Sequence, residues 1–364
     1  MRQATQVPRN ILIVCTQRIG DVLLSTPIAR SIKSHWPDTN IDYLVLPGTD
    51  GALEGNTDLR KVHVFAQRVK WREKLSQLST IWRRYDLAIA AAPTDRARLF
   101  AWAASKKTIG FTTPEESSWF KRRLLTISIP FDNMDTHTVP MGLKLVEPLN
   151  ITPIPHVQPP TTHAEDWTQL KKQLGIGQAP YVVIHPYPKF RYKMWTQQNW
   201  ATLINWLGSQ SLQVFLTGSK APDEVAYIND IIRLVSKQCH SLAGQLSLAQ
   251  TSHLLKESQL YVGPDTAVTH LAAAVGTPSI ALFGPSNPVK WGPWPNSKQN
   301  FDNASPWRIR GDGHLGNVWV IQGEADCVPC LQEGCERHLH SESRCLTGIS
   351  AEKVIQTSRH LLGL

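Results

Sequence analysis

No apolar run in this chain approaches the roughly 20 residues that a membrane-spanning helix requires, and no such helix is expected. The amino-terminal stretch Met1–Arg9 carries charge but leads into a short apolar run, Ile11–Cys15, too brief to be the core of a secretory leader. A cytoplasmic location is therefore expected. Cysteine is sparse, six in 364 residues, and in a cytoplasmic chain those six are not expected to pair as disulfides. Glycine is missing where a dinucleotide binder would need it. After Ile11–Cys15, Gly20 stands alone and not within a three-glycine phosphate fingerprint.

What is present is the composition of an ordinary core-forming protein, 41% hydrophobic and 18% charged, at a length that suggests about two domains. The formal net charge is +9, yet Arg60–Arg123 alone holds 15 Lys/Arg against 5 Asp/Glu, which leaves the remainder slightly acidic. An anionic partner is implied for that region. Thirteen tryptophans include Trp71, Trp82, Trp102 and Trp119 among these cations. Each is either a core anchor or an aromatic face for sugar rings or a membrane interface.

Apolar runs alternate with helical stretches from the start. Ile11–Cys15 reads as a buried parallel strand, and Asp21 as the opening of a helix that ends near His35. Strands follow at Ile41–Leu46, Val62–Phe65, Asp86–Ala91 and Thr108–Phe111, with helices at Trp71–Tyr85, Asp95–Ala104 and Thr136–Leu149. This alternation argues a doubly wound sheet. Asp21 would stand at a helix N-terminus above the carboxyl edge of that sheet, where ligands bind, either as an N-cap or as a general base. The cations of Arg68–Lys74, with Arg96 and Arg98, form either a solvated face or a phosphate-binding wall. Ile151–Pro160 holds four prolines and reads as a stiff linker.

Beyond it the alternation restarts, with strands at Tyr181–His185 and Leu212–Leu216 and helices at Gln197–Leu207, stopped by Gly208, and Asp223–Ser236. The densest stretch is Gly263–Pro285, GPDTAVTHLAAAVGTPSIALFGP. A strand ends at a Gly263-Pro264 turn, Asp265-Thr266 opens a helix, and Ser279–Phe283 is the next strand, which together make a parallel crossover unit. Hydroxyl and N–H groups at a helix N-terminus make an anion site, and His270 lies on the same helical face as Thr266. The alternative is a capped helix with a satisfied histidine. A Pro-, Gly- and Trp-rich insert covers Asn287–Trp319. Cys327, Cys330, Cys335 and Cys345, spaced C-x2-C-x4-C-x9-C, suit a structural zinc on four thiolates or are free buried thiols. An amphipathic helix, Ala351–Leu362, closes the chain.

Two motifs on opposite halves carry a family resemblance. Arg18-Ile-Gly-Asp-Val-Leu-Leu-Ser-Thr-Pro27 resembles the N-terminal motif of glycosyltransferase family 9, the lipopolysaccharide heptosyltransferases. Asp265-Thr-Ala-Val-Thr-His270 is similar to that family's D-[TS]-G-x-x-H donor motif. The Phe283-Gly-Pro285 turn and the C-x-P-C…C…C-L pattern of Cys327–Leu346 fit as well. The resemblance implies an α/β fold of GT-B architecture, two Rossmann-like domains facing across a cleft. The expected boundaries are 1–155 for an acceptor-binding domain, 156–348 for a nucleotide-sugar domain carrying the insert and the cysteines, and 349–364 for the C-terminal helix.

The same resemblance implies inverting, metal-independent transfer of heptose from ADP-heptose to the inner core of lipopolysaccharide, with no cofactor beyond the structural zinc that the cysteines suit. Asp21 would be the base. Lys193, Glu224, Asp265, Thr266, Ala267 and His270 would hold the donor. Arg18, Arg68, Lys70, Arg72, Arg96 and Arg98 would meet the anionic, lipid-linked acceptor, with transient contact at the cytoplasmic face of the inner membrane. No nucleic-acid partner is expected. Ala267 replaces the family glycine, and Pro186-Tyr-Pro188 replaces a hydroxyl-rich pair. These departures keep open a family 9 enzyme with another nucleotide-sugar donor, or a catalytically inactive nucleotide- or glycan-binding relative.

Overall fold

The computed structural model describes residues 7–113, 123–296 and 305–364; Trp119 lies outside them. Backbone contacts divide the chain into two compact units, Met1–Pro160 and Thr161–Leu364. Each is a doubly wound α/β sheet.

In the first unit the strands are β1 (Asn10–Val14), β2 (Asn40–Val45), β3 (Lys61–Val64), β4 (Leu87–Ala90), β5 (Thr108–Thr112) and β6 (Ile127–Pro130). They lie in the order β3-β2-β1-β4-β5-β6, all parallel. β1 is central, and Ile11 to Val14 are wholly buried, as a continuous apolar run demands when both faces of a parallel sheet are covered. The helices are α1 (Ile19–His35), α2 (Trp71–Ile81), α3 (Asp95–Ala104) and the short α4 (Thr138–Leu143).

α1 begins two residues before Asp21 and contains Pro27. Proline has no N–H for the carbonyl four residues back. The Thr26 hydroxyl donates to that carbonyl, Leu23 O, at 2.7 Å. Thr26 Oγ1 in turn accepts from the Gln158 N–H at 2.9 Å, Ser31 Oγ accepts from the Ile154 N–H at 2.8 Å, and Arg30 donates to the Gln158 side chain. The proline-rich stretch is thus fastened along α1 and belongs to the first unit.

The second unit opens with α5 (Ala164–Gln173) and has strands β7 (Tyr181–Ile184), β8 (Gln213–Leu216), β9 (His240–Ser241), β10 (Leu260–Pro264), β11 (Ser279–Phe283), β12 (Gly313–Leu315) and β13 (Val318–Gln322). Their order is β12-β13-β11-β10-β7-β8-β9, parallel throughout except for β12. Helices α6 (Gln197–Ser209), α7 (Pro222–Leu234), α8 (Leu248–Glu257), α9 (Ala267–Val275) and α10 (Ala351–Leu362) accompany them. The core is anchored by Trp195 and Trp200, set edge to face at 4.7 Å. Val354 and Ile355 of α10 pack into that same core.

Two glycine readings are corrected. Gly208 does not stop α6 but lies within it, and the left-handed residue is Ser211. A Cβ at Gly208 would stand 2.7 Å from Lys237 Cβ, so the position serves close packing. Gly263 and Pro264 are the last residues of β10, in register with Ala281 and Leu282, and no turn occurs there. A Cβ on Gly263 would meet the Tyr261 hydroxyl at 2.1 Å.

Candidate active site

In an open α/β sheet, neighbouring strands whose connections leave in opposite directions open a crevice at their carboxyl ends. In the first unit those strands are β1 and β4. The loop after β1 and the start of α3 meet through Thr16 Oγ1 and Thr94 Oγ1, 3.4 Å apart. Asp21 follows in the first turn of α1, where its Oδ2 accepts from the Arg18 N–H at 3.2 Å. The carboxylate therefore performs the capping role of its helix and is held in one place by it.

Arg18 and Arg96 are exposed near this edge, and Arg68, Lys70 and Arg72 are exposed at the entry to α2. Arg98 is different and corrects the expectation. It is 0% exposed, its Nε donates to the Phe111 carbonyl at 2.9 Å, and its NH1 lies 3.3 Å from Asp95. That guanidinium ties α3 to β5 and is not presented to a ligand at the surface.

In the second unit the switch lies between β7 and β10. The loop leaving β7 carries Lys193, and Asp265 and Thr266 follow directly on β10. The two strands' loops close on each other through Lys193 Nζ and Asp265 Oδ2, 2.5 Å apart, with both side chains largely buried. His270 Nε2 lies 4.0 Å from the other carboxylate oxygen, and Ser286, beyond the end of β11, also hydrogen-bonds Asp265. Burial alone would raise the Asp265 pKa. The charge of Lys193, then His270, and the hydrogen bonds of Lys193 and Ser286 outweigh it and keep the carboxyl below its usual range. Burial pushes His270 down to about 4, with Lys193 acting in the same direction against Asp265, so the imidazole is neutral at neutral pH. Its Nδ1 is buried without a hydrogen-bond partner.

Thr266 is the N-cap of α9, yet no side chain caps the helix; its hydroxyl lies 3.2 Å from Thr269 Oγ1. The first N–H groups of a helix left without a side-chain cap suit an anion. Ala267 is the first helical residue. Glu224, in the first turn of α7, is buried and accepts from the Ser219 hydroxyl. Beside it, His185 Nδ1 lies 3.1 Å from Thr217 Oγ1. Burial keeps His185 neutral against the opposing field of Glu224. Asp223, its neighbour in the chain, is exposed and accepts from the Tyr187 hydroxyl at 2.8 Å.

The structure thus brings Lys193, Asp265, Thr266, Ala267 and His270 together and sets Glu224 at the neighbouring strand end. Residue order did not signal Ser286, Thr217 or Ser219; only the sheet order places them at the same edge. Arg191, two residues before Lys193, is paired with Glu342 at 2.7 Å.

Cys327, Cys330 and Cys335 lie close enough to Cys345 to act on its thiol electrostatically. Among the described residues no group of three or more His, Cys, Asp or Glu is arranged to hold a metal ion. Cys345 is buried beneath Gly284, and its thiol is pushed up to about 11, chiefly by burial. Cys327 and Cys335 are exposed, and Cys335 Sγ accepts from the Arg344 N–H at 3.3 Å.

Two Rossmann-like units, with charged and hydroxyl-bearing residues gathered at their switch points, place the chain in the GT-B class of α/β proteins. Residues 77–309 match Glycosyltransferase family 9 (heptosyltransferase), and the chain belongs to that family. It is 30% identical over 288 residues to lipopolysaccharide heptosyltransferase 3 of Escherichia coli K12, covering 76% of this chain and 82% of that protein. A family 9 glycosyl transferase from Veillonella parvula superposes with a TM-score of 0.76 over 97% of each chain at 18% identity. E. coli heptosyltransferase WaaC with ADP gives 0.71 over 97% of this chain and 99% of that one, at 17% identity. The chain is therefore a glycosyltransferase.

Proposed function

We propose that the protein transfers heptose from ADP-heptose to the inner core of lipopolysaccharide, with inversion at the anomeric carbon and without a catalytic metal. The observation that carries this reading is the Lys193–Asp265 pair at the β7/β10 switch, beside the uncapped start of α9. In the transfer, Asp21 takes the proton of the attacking acceptor hydroxyl. The bond from the anomeric carbon to the diphosphate oxygen breaks as the new glycosidic bond forms. Negative charge grows on the leaving ADP, where the Lys193 ammonium and the N–H groups of α9 stabilise it. Asp265 fixes the ammonium in position, and the neutral His270 adds no competing charge. Glu224, which follows β8, accepts from the ribose hydroxyls in this reading.

Arg18, Arg68, Lys70, Arg72 and Arg96 supply cations for the phosphates and carboxylates of the acceptor. The place of work is the cytoplasmic face of the inner membrane. Support comes from the family and from the names of its relatives. One departure, Ala267 in place of a glycine, favours testing a second reading, a different nucleotide-sugar donor, since its Cβ stands at the first turn that would face the phosphate.

The deciding experiment incubates the purified enzyme with a defined core acceptor and a panel of ADP- and UDP-sugars, with and without EDTA, and identifies the product. Transfer from ADP-heptose alone, undiminished by EDTA, is expected; preference for another sugar nucleotide overturns the donor assignment. Asp21→Asn should lose transfer by about 10²-fold or more while ADP affinity stays near wild type, and wild-type turnover in that variant would remove Asp21 as the base.

A further inference from the structure

α2 reverses the usual rule for a surface helix. Of its 11 residues only Ile81 is buried. Trp71 and Leu75 are 65% and 56% exposed, and Trp82, just past its end, is 50% exposed. Positions 71, 75, 78 and 82 fall on one stripe of a helix. The stripe continues onto α3, where Leu99 and Trp102 are also exposed. The Trp82 and Trp102 rings meet edge to face at 5.8 Å, and the Arg83 guanidinium lies over both, at 5.4 and 4.9 Å. Arg72 lies 5.4 Å from the Trp71 ring. Glu73 is the one acid of Arg68–Arg84, against six cations. Lys70, Arg72, Lys74 and Arg84 make no ion pair among the described residues.

We propose that this α2–α3 face is the surface on which the protein rests on an anionic lipid bilayer. Trp71, Leu75, Trp82 and Trp102 enter the boundary between headgroups and acyl chains, and Lys74 and Arg84 beside them meet lipid phosphates. Charge selects this occupant. A second copy of the chain would bring two faces of the same sign together, and a nucleic acid would leave the aliphatic part of the stripe uncovered. Indole rings under guanidinium groups have the amphipathic build that an interface of apolar chains and anionic headgroups takes up. The proposal draws its purpose from the reading of the chain as a transferase for a lipid-linked acceptor, but lipid binding itself is measured without any turnover.

The test is flotation of the full-length protein with vesicles of phosphatidylcholine alone and of phosphatidylcholine mixed with phosphatidylglycerol, at low and at physiological salt. Tryptophan emission is followed in the same samples. Wild type should float with the anionic vesicles only, its emission should shift to the blue, and added salt should weaken the binding. Trp71→Ser with Leu75→Ser, and separately Lys74→Glu with Arg84→Glu, should each lower partitioning about tenfold or more. These positions are exposed, and unchanged circular dichroism checks that the variants fold. Asp21→Asn should float as wild type does.

The proposal is overturned if wild type stays in solution with anionic vesicles, if either double variant floats undiminished, or if sedimentation shows a dimer that buries Trp71. If vesicles bind and no sugar donor is used, the catalytic reading fails and the lipid surface stands.

Discussion

Asp42 on β2 is 1% exposed and carries a carboxylate beneath the amino-terminal edge of the first sheet. Arg60 grips it with two hydrogen bonds, at 2.9 and 2.6 Å, and the Tyr85 hydroxyl donates a third at 2.7 Å. Burial pushes the Asp42 pKa up, but the His63 ring 3.6 Å away and the hydrogen bonds of Arg60 and Tyr85 together overrule it and hold the carboxyl far below the usual range. A depressed carboxylate contributes stability above its unfolded pKa of ~3.9, and that contribution is lost as pH falls through the lower folded value. Asp42→Asn should therefore cost about 2 kcal/mol at neutral pH, a figure moderated by the half-exposed Arg60. The gap to wild type should narrow in urea titrations as the pH is lowered below ~4.

In the second unit, Lys193→Ala should weaken ADP binding about 10- to 100-fold by calorimetry, as loss of a charge-assisted hydrogen bond predicts. Because that change also strands Asp265 in a buried site, Lys193→Ala with Asp265→Asn separates the two effects. The double variant should regain stability without regaining affinity.

Among the elements, Gly263 makes the sharpest prediction. Gly263→Ala sets a methyl group against the Tyr261 hydroxyl at 2.1 Å and its ring carbon at 2.7 Å. It should cost about 2 kcal/mol, read as a lowered Tm, and Tyr261→Phe should relieve part of that loss. This position also shows where reading by residue type falls short. Gly-Pro names a turn by local preference, but a strand's last residues can be Gly-Pro when a neighbouring side chain needs the room.

Gly208 misleads for the same reason, its role being contact with Lys237, which lies far along the chain. A continuous apolar strand and two helices of helical apolar spacing were legible: Ser279–Phe283, Asp95–Ala104 and Ala351–Leu362 fall as the sequence indicates. β6, with three of its four residues exposed, and β12, within the loose insert, carry no such run and were not legible, whereas β13 is an apolar run that straddles the end of the insert and was passed over with it. α8 was missed although its capping box, Ser247 with Gln250, was in view. At the candidate site, Lys193, Asp265 and His270 were legible from spacing and family likeness, whereas Ser286 and Ser219 depend on sheet order.

At the scale of the molecule, the proline-rich stretch behaves as part of a unit. Its backbone is tied to α1 through Thr26, within the motif that holds Asp21, and Ser31, one turn past it. The Ile154 and Gln158 amides should consequently exchange hydrogen slowly, and Thr26→Val with Ser31→Ala should speed both at least about tenfold in native-state exchange. Rates equal to wild type would mean that these hydroxyls do not hold the segment. Four prolines limit the chain's own flexibility, but only the contacts with α1 give the stretch a fixed course.

The second sheet ends on one side in β12, three residues long and antiparallel to its neighbour, and on the other in β9, only two residues long. In the first sheet, outermost β6 closes on a proline. A strand at the rim is an open invitation to any passing chain with hydrogen bonds to make, and its danger grows with its length. With rims this short, newly made copies crowded together offer one another little backbone to pair with. The protein should stay dispersed while concentrated, even though its interior is built from two broad parallel sheets.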